Sequence, residues 1–99
     1  MYTDLAEAVE DLKKRGYNNL FEPDNEALYC SKLELREKVQ DMKIVETWQF
    51  DQGTDPGDES TIYALETKDG VKGYIITSFG THIDPRKAEL IDRMIKSQE

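Results

Sequence analysis

The sequence predicts an α+β fold: a two-layer domain in which a four-stranded antiparallel meander carries one helix at each end of the chain, in the order α-β-β-β-β-α. Three observations predict it. Apolar residues recur at helical spacing near both ends of the chain, and the stretch between them alternates apolar and polar side chains with a period of two. Within that stretch, Lys68-Asp69-Gly70-Val71 is a hairpin signal of the Asp-Gly type. A parallel sheet needs strand and helix to alternate, which this order of elements does not provide.

The first helix is marked by Leu5, Ala8, Val9 and Leu12 on one face. Asp4 and Glu7 have the spacing of a capping box, and Lys13, Lys14 and Arg15 place cations where the helix dipole favours them. Gly16 then ends the helix, because glycine enters the left-handed C′ position at little cost. Tyr17, Leu20 and Phe21 read as an apolar anchor behind it, and Pro23-Asp24-Asn25 reads as a turn.

Residues 28–36 read as a strand with Tyr29, Leu33 and Leu35 on one side, followed by a charged connection over 37–41. Residues 42–51 read as a second strand, with Ile44, Trp48 and Phe50 sharing a side. The acidic, breaker-rich loop 51–60 leads to the hairpin strands 61–68 and 71–79. A two-residue Asp69-Gly70 loop sets the register: Leu65 opposite Tyr74 and Tyr63 opposite Ile76 on one face, Ala64 opposite Ile75 and Ile62 opposite Thr77 on the other. Asp84 caps the last helix and Pro85 suits its first position, with Ala88, Leu90, Ile91, Met94 and Ile95 as its apolar stripe. Both helices are expected on one face of the sheet, where Ala64 and Gly73 are small enough to admit a close helix.

The 99 residues suit one domain over positions 1–99. Thirteen basic against twenty-one acidic residues give a net charge of −8, which repels nucleic acid and anionic membranes, so neither is expected as a partner. Cys30 is the only cysteine, which rules out an internal disulfide. The opening residues carry no basic and apolar leader, and no apolar run approaches the ~20 residues of a membrane-spanning helix. A cytoplasmic location is expected.

Chemistry is sparse. Cys30 and His82 would have to converge in a cleft with an orienting group to form a nucleophilic pair, and Cys30 sits in an apolar strand. Asp51, Asp55, Asp58 and Glu59 lack the spacing of an EF-hand loop, so no metal is expected. No cofactor motif is present. Thr81, His82, Arg86 and Lys87 gather at the start of the last helix, where unpaired amides attract anions. Trp48, Tyr63, Leu65, Tyr74 and Ile76 share one sheet face in the expected register and form a candidate ligand or partner surface.

Asp11-Leu12-Lys13-Lys14-Arg15-Gly16-Tyr17, and Lys68-Asp69-Gly70-Val71-Lys72-Gly73 leading to Phe79-Gly80, resemble a family of short bacterial proteins of unknown function. Some members are labelled phosphoribosylpyrophosphate synthetase. The shared motifs are a helix stop and a hairpin turn. The ribose-phosphate and ATP motifs of such synthetases are not in this chain, so no residue takes a role from the label. The expected function is a non-enzymatic protein-interaction or regulatory module acting through a sheet face or a free edge, with a homodimer as one form. The alternative is a nucleotide or sugar-phosphate binder at the last helix. The resemblance implies, as a remote third reading, a synthetase-type enzyme.

Overall fold

The computed structural model describes residues 5–25, 27–51, 59–79 and 85–97. Helix α1 (Leu5–Lys14) ends as its sequence requires. Gly16 has φ +99°, its N–H bonds the Lys13 carbonyl at 3.1 Å, and the Tyr17 N–H bonds the Leu12 carbonyl at 2.8 Å. This is the paired bonding of a Schellman stop, and Tyr17 and Leu12 close it by packing in the same apolar cluster. Asp4 and Asp84, the expected caps, lie outside the described residues, as does most of the loop 51–60.

Two short strands follow, β1 (Asn19–Leu20) and β2 (Glu22–Asp24). Next come β3 (Ala27–Cys30), β4 (Leu35–Lys38) and a 3-10 turn (Val39–Asp41). The long strands are β5 (Met42–Asp51), β6 (Glu59–Thr67) and β7 (Lys72–Phe79), before helix α2 (Pro85–Ser97). The α+β class and the helix at each end are as expected. The single four-stranded meander is not: one sheet runs β1-β7-β6-β5 and a separate one runs β2-β3-β4. All pairings are antiparallel except β1 with β7.

The expected strand 28–36 is a hairpin. Tyr29 pairs Arg36 and Cys30 pairs Leu35 across a turn at Ser31–Glu34. Glu34 supplies the left-handed residue of that turn, at φ 50°.

The helices lie on opposite faces of the larger sheet, which overturns the expectation that they share one. On one face Ile62, Ala64 and Tyr74 pack with Ala8, Leu12 and Tyr17 of α1 and its stop. On the other, Tyr63, Leu65 and Ile75 pack with Leu90, Ile91 and Met94 of α2. Leu28 and Cys30 of the smaller sheet join that second cluster. Met42, the Val39 of the 3-10 turn and Phe21 complete it.

The hairpin at Asp69-Gly70 forms, one residue longer than expected. The Gly70 N–H bonds the Thr67 carbonyl and the Thr67 N–H bonds the Val71 carbonyl, so the loop is Lys68-Asp69-Gly70. Only Gly70 takes a positive φ, +88°. A three-residue loop with one left-handed glycine is the next most favoured hairpin after the two-residue form. Its consequence is a register one residue away from the expected one: Leu65 pairs Gly73, Ala64 pairs Tyr74, Tyr63 pairs Ile75 and Ile62 pairs Ile76. Because side chains alternate faces, the slip redistributes the aromatic residues.

Gly73 admits a close neighbour, though not a helix. A Cβ there would meet the Asn19 carbonyl and the Phe21 ring. The missing side chain is what allows β1 to lie beside β7 with Phe21 wholly buried.

Candidate functional site

The five residues expected on one face fall on two. Tyr63 and Leu65 belong to the α2 side, whereas Trp48, Tyr74 and Ile76 belong to the α1 side. Tyr63, Leu65 and Tyr74 are buried, so these residues do not make one exposed patch. Two physical causes separate them. The hairpin loop shifts β7 by one position against β6. A bulge between Ile44 and Glu46 then shifts β5: Ile44 pairs Leu65, but Glu46 pairs Ala64. Ile44 therefore faces α2 while Trp48 and Phe50 face α1, rather than all three sharing a side.

Of the expected anion-binding set, Thr81 and His82 lie outside the described residues. Arg86 and Lys87 stand in the first turn of α2. The Lys87 ammonium donates to the Ile76 carbonyl at 3.0 Å and lies 3.5 Å from the Glu22 carboxylate. Its charge thus works inside the fold, tying α2 to β7 and β2. Cys30 is fully buried in the α2-side core.

Sequence reasoning offered a free sheet edge as one alternative without saying which strand forms it, and the two edges of the larger sheet differ sharply. Along the outer side of β7 the chain uses its own groups. Phe21 N–H donates to the Tyr74 carbonyl at 2.9 Å, Asn19 Nδ2 donates to the Lys72 carbonyl at 2.8 Å, and Lys87 takes the Ile76 carbonyl. The other edge is β5, ten residues long, and among the described residues no strand pairs with its outer side. Val45, the bulged residue, is exposed there, as are Lys43, Thr47 and Gln49, while Ile44 and Trp48 are half-buried.

The α1-facing side of this edge is held rigidly. Arg15 grips Glu46 with two bonds, Nη1 to Oε2 at 2.5 Å and Nη2 to Oε1 at 3.1 Å. Arg15 Nε also lies 3.1 Å from Asp11 Oδ2. Trp48 Nε1 donates to Glu46 Oε1 at 3.0 Å. The Arg15 bonds, more than the indole bond, hold the Glu46 carboxyl below its ordinary range against the opposing effect of burial. Arg15 and Lys72 also flank the Tyr17 ring, 5.8 Å and 5.3 Å from its centre. The end of α1 is thereby fixed to β5 and β7 together.

Among the described residues, no helix is long and apolar enough to cross a membrane. No family model matches the chain, and no curated protein or solved structure gives a significant match.

Proposed function

We propose that the chain is a non-enzymatic protein-interaction module that works through the β5 edge by pairing with a second copy of itself. The observation that carries this reading is the contrast between the two sheet edges. One is occupied by the chain's own donors, and the other offers a ten-residue strand with no described strand beside it. A strand edge of this length recruits another strand unless it is blunted.

The Val45 bulge and the charge of Lys43 are blunting devices, and they narrow the choice of partner. They leave the regular segment after the bulge as the pairing site. A two-fold contact is self-complementary by construction. With its axis at Thr47, antiparallel pairing sets each Glu46 opposite the Trp48 of the other copy, so no like charges face each other.

Light scattering and sedimentation across a wide concentration range test the reading directly. A dimer is expected, with Val45→Lys and Thr47→Lys each shifting it toward monomer while the circular dichroism spectrum stays unchanged. In a Thr47→Cys variant the two new thiols meet across the axis and cross-link on mild oxidation, since Cys30 is buried and does not compete. A strict monomer at millimolar concentration, or lysine variants that dimerise like the parent, would refute it.

A further inference from the structure

The tip of the β6–β7 hairpin holds the only Asp-Gly or Asn-Gly dipeptide in the chain, Asp69-Gly70. We infer that Asp69 is a site of spontaneous backbone isomerisation, converting to isoaspartate in the folded protein, and that the hairpin keeps its register when it does.

The chemistry needs an aspartyl carboxyl free to turn toward the next amide, no side chain on the next residue to block the approach, and a backbone able to rotate. The Gly70 amide nitrogen attacks Cγ of the protonated Asp69 carboxyl. A C–N bond forms, a C–O bond breaks and one water leaves, which closes a succinimide ring. Water then adds back to either ring carbonyl. Attack at the side-chain carbonyl restores aspartate. Attack at the main-chain carbonyl breaks the original peptide bond and leaves the chain running through Cβ and Cγ, with the α-carboxylate as the new side group. No co-reactant beyond water is required.

The hairpin meets these needs. Asp69 is exposed, and among the described residues no hydrogen bond or ion pair holds its carboxylate. The neighbouring lysines are engaged elsewhere: Lys68 lies 3.5 Å from Asp41, and Lys72 stands over the Tyr17 ring. Gly70 presents no Cβ, and nothing lies within 4 Å of where one would be. One backbone bond restrains the tip, from the Gly70 N–H to the Thr67 carbonyl at 3.0 Å. Opening that exposed bond is a local event that leaves both cores intact.

The surroundings of the tip decide the consequence. Thr67 N–H bonds the Val71 carbonyl at 2.9 Å, Val71 N–H bonds Thr67 Oγ1 at 3.0 Å, and Lys68 N–H bonds the Asp41 carbonyl at 2.9 Å. These bonds hold both strands and the start of the loop. Isomerisation adds one carbon to the main chain, whereas a slip of register needs a whole residue. A slip would also turn Tyr74 and Ile75 out of the two cores that bury them. The extra carbon is therefore taken up at the tip, at the loss of the Gly70–Thr67 bond.

To test this, the full chain is held for weeks in native buffer beside the same chain in urea. Isoaspartate is read by enzymatic methylation of its α-carboxylate and placed by electron-transfer fragmentation. It is expected to accumulate at Asp69 in the folded chain. Asp69→Glu keeps the charge but must close a larger ring, and is expected to abolish the signal. Asp69→Asn loses ammonia instead of water and is expected to form the product sooner. In the aged protein, amide shifts are expected to change over 67–71 and to stay in place at Leu65 and Tyr74. No isoaspartate at Asp69 in the folded chain, whether or not urea produces it, would overturn the site. So would an undiminished signal in Asp69→Glu. Movement at Leu65 and Tyr74 would overturn the retained register. None of these readings depends on whether the β5 edge pairs.

Discussion

Replacing Gly73 with alanine tests the packing that holds the larger sheet to the start of the chain. The added Cβ would lie 2.5 Å from Phe21 Cε2, about 0.9 Å short of the 3.4 Å at which ordinary contact begins. It would also collide with the Asn19 backbone carbonyl, which cannot swing aside as a side-chain tip does. Strand β1 must therefore move away from β7. Overpacking of this kind costs about 1–3 kcal/mol. The move also weakens the Asn19–Lys72 and Phe21–Tyr74 hydrogen bonds, each worth about 1 kcal/mol. We expect a total loss of about 3 kcal/mol, or a melting point lower by about 15 °C for a chain of this size. Urea unfolding followed by the fluorescence of the sole tryptophan, Trp48, measures it. Gly70→Ala is the control. Gly70 has φ +88° and nothing near the added Cβ, so only backbone strain of about 1 kcal/mol is expected. A Gly73→Ala protein within 1 kcal/mol of the parent, or no weaker than Gly70→Ala, would refute the argument.

The Arg15–Glu46 clamp makes stability depend on acid. Glu46 titrates below its ordinary value of 4.5, chiefly through its bonds to Arg15, so the carboxylate stabilises the folded chain above that pH. The contribution is lost as pH falls through the lowered value. Because Arg15 is largely exposed, it is worth under about 1 kcal/mol. The stability gap between the parent and Glu46→Gln, measured in urea at several pH values, should be widest at neutral pH and close on acidification. A gap independent of pH would sink the assignment. Cys30, sealed in the α2-side core, should react with a thiol reagent only as fast as the chain opens. Rapid labelling under native conditions would place it elsewhere.

What could be read from the sequence is what local chemistry dictates. Gly16 announces the end of α1, and the Schellman bonds at Tyr17 follow from it. The hairpin at Asp69-Gly70 is equally local. Its loop length is not, because the same dipeptide serves two-residue and three-residue loops, and only the two-residue form also requires positive φ at Asp69. One residue of loop decides which face every β7 side chain occupies. The turn between β3 and β4 left even less trace. Ser31-Lys32-Leu33-Glu34 contains no glycine, proline or asparagine, and its left-handed residue is a glutamate. Gly73 did carry a signal, since a glycine inside a strand marks a close approach of backbone. The approaching partner, a two-residue parallel strand, is too short to show any periodicity of its own.

The candidate surface was hidden for a different reason. A partner face is recognised in sequence by side chains that line up, and here two independent shifts of parity, at the hairpin and at Val45, split the expected set between the two faces. The Val45 bulge also lets one strand serve two cores: Ile44 packs toward α2 while Trp48 and Phe50 pack toward α1. Having both faces covered leaves the sheet only its edges to offer. An edge is recognised through backbone groups, which every residue carries alike, so composition says little about it. What marks β5 is the chain's unequal treatment of its two edges, with Lys87, Asn19 and Phe21 spent on β7 and Arg15 spent on holding Glu46 in place beside β5. That asymmetry arises from contacts far apart in sequence, Arg15 with Glu46 and Asn19 with Lys72, and becomes visible only once the chain is folded.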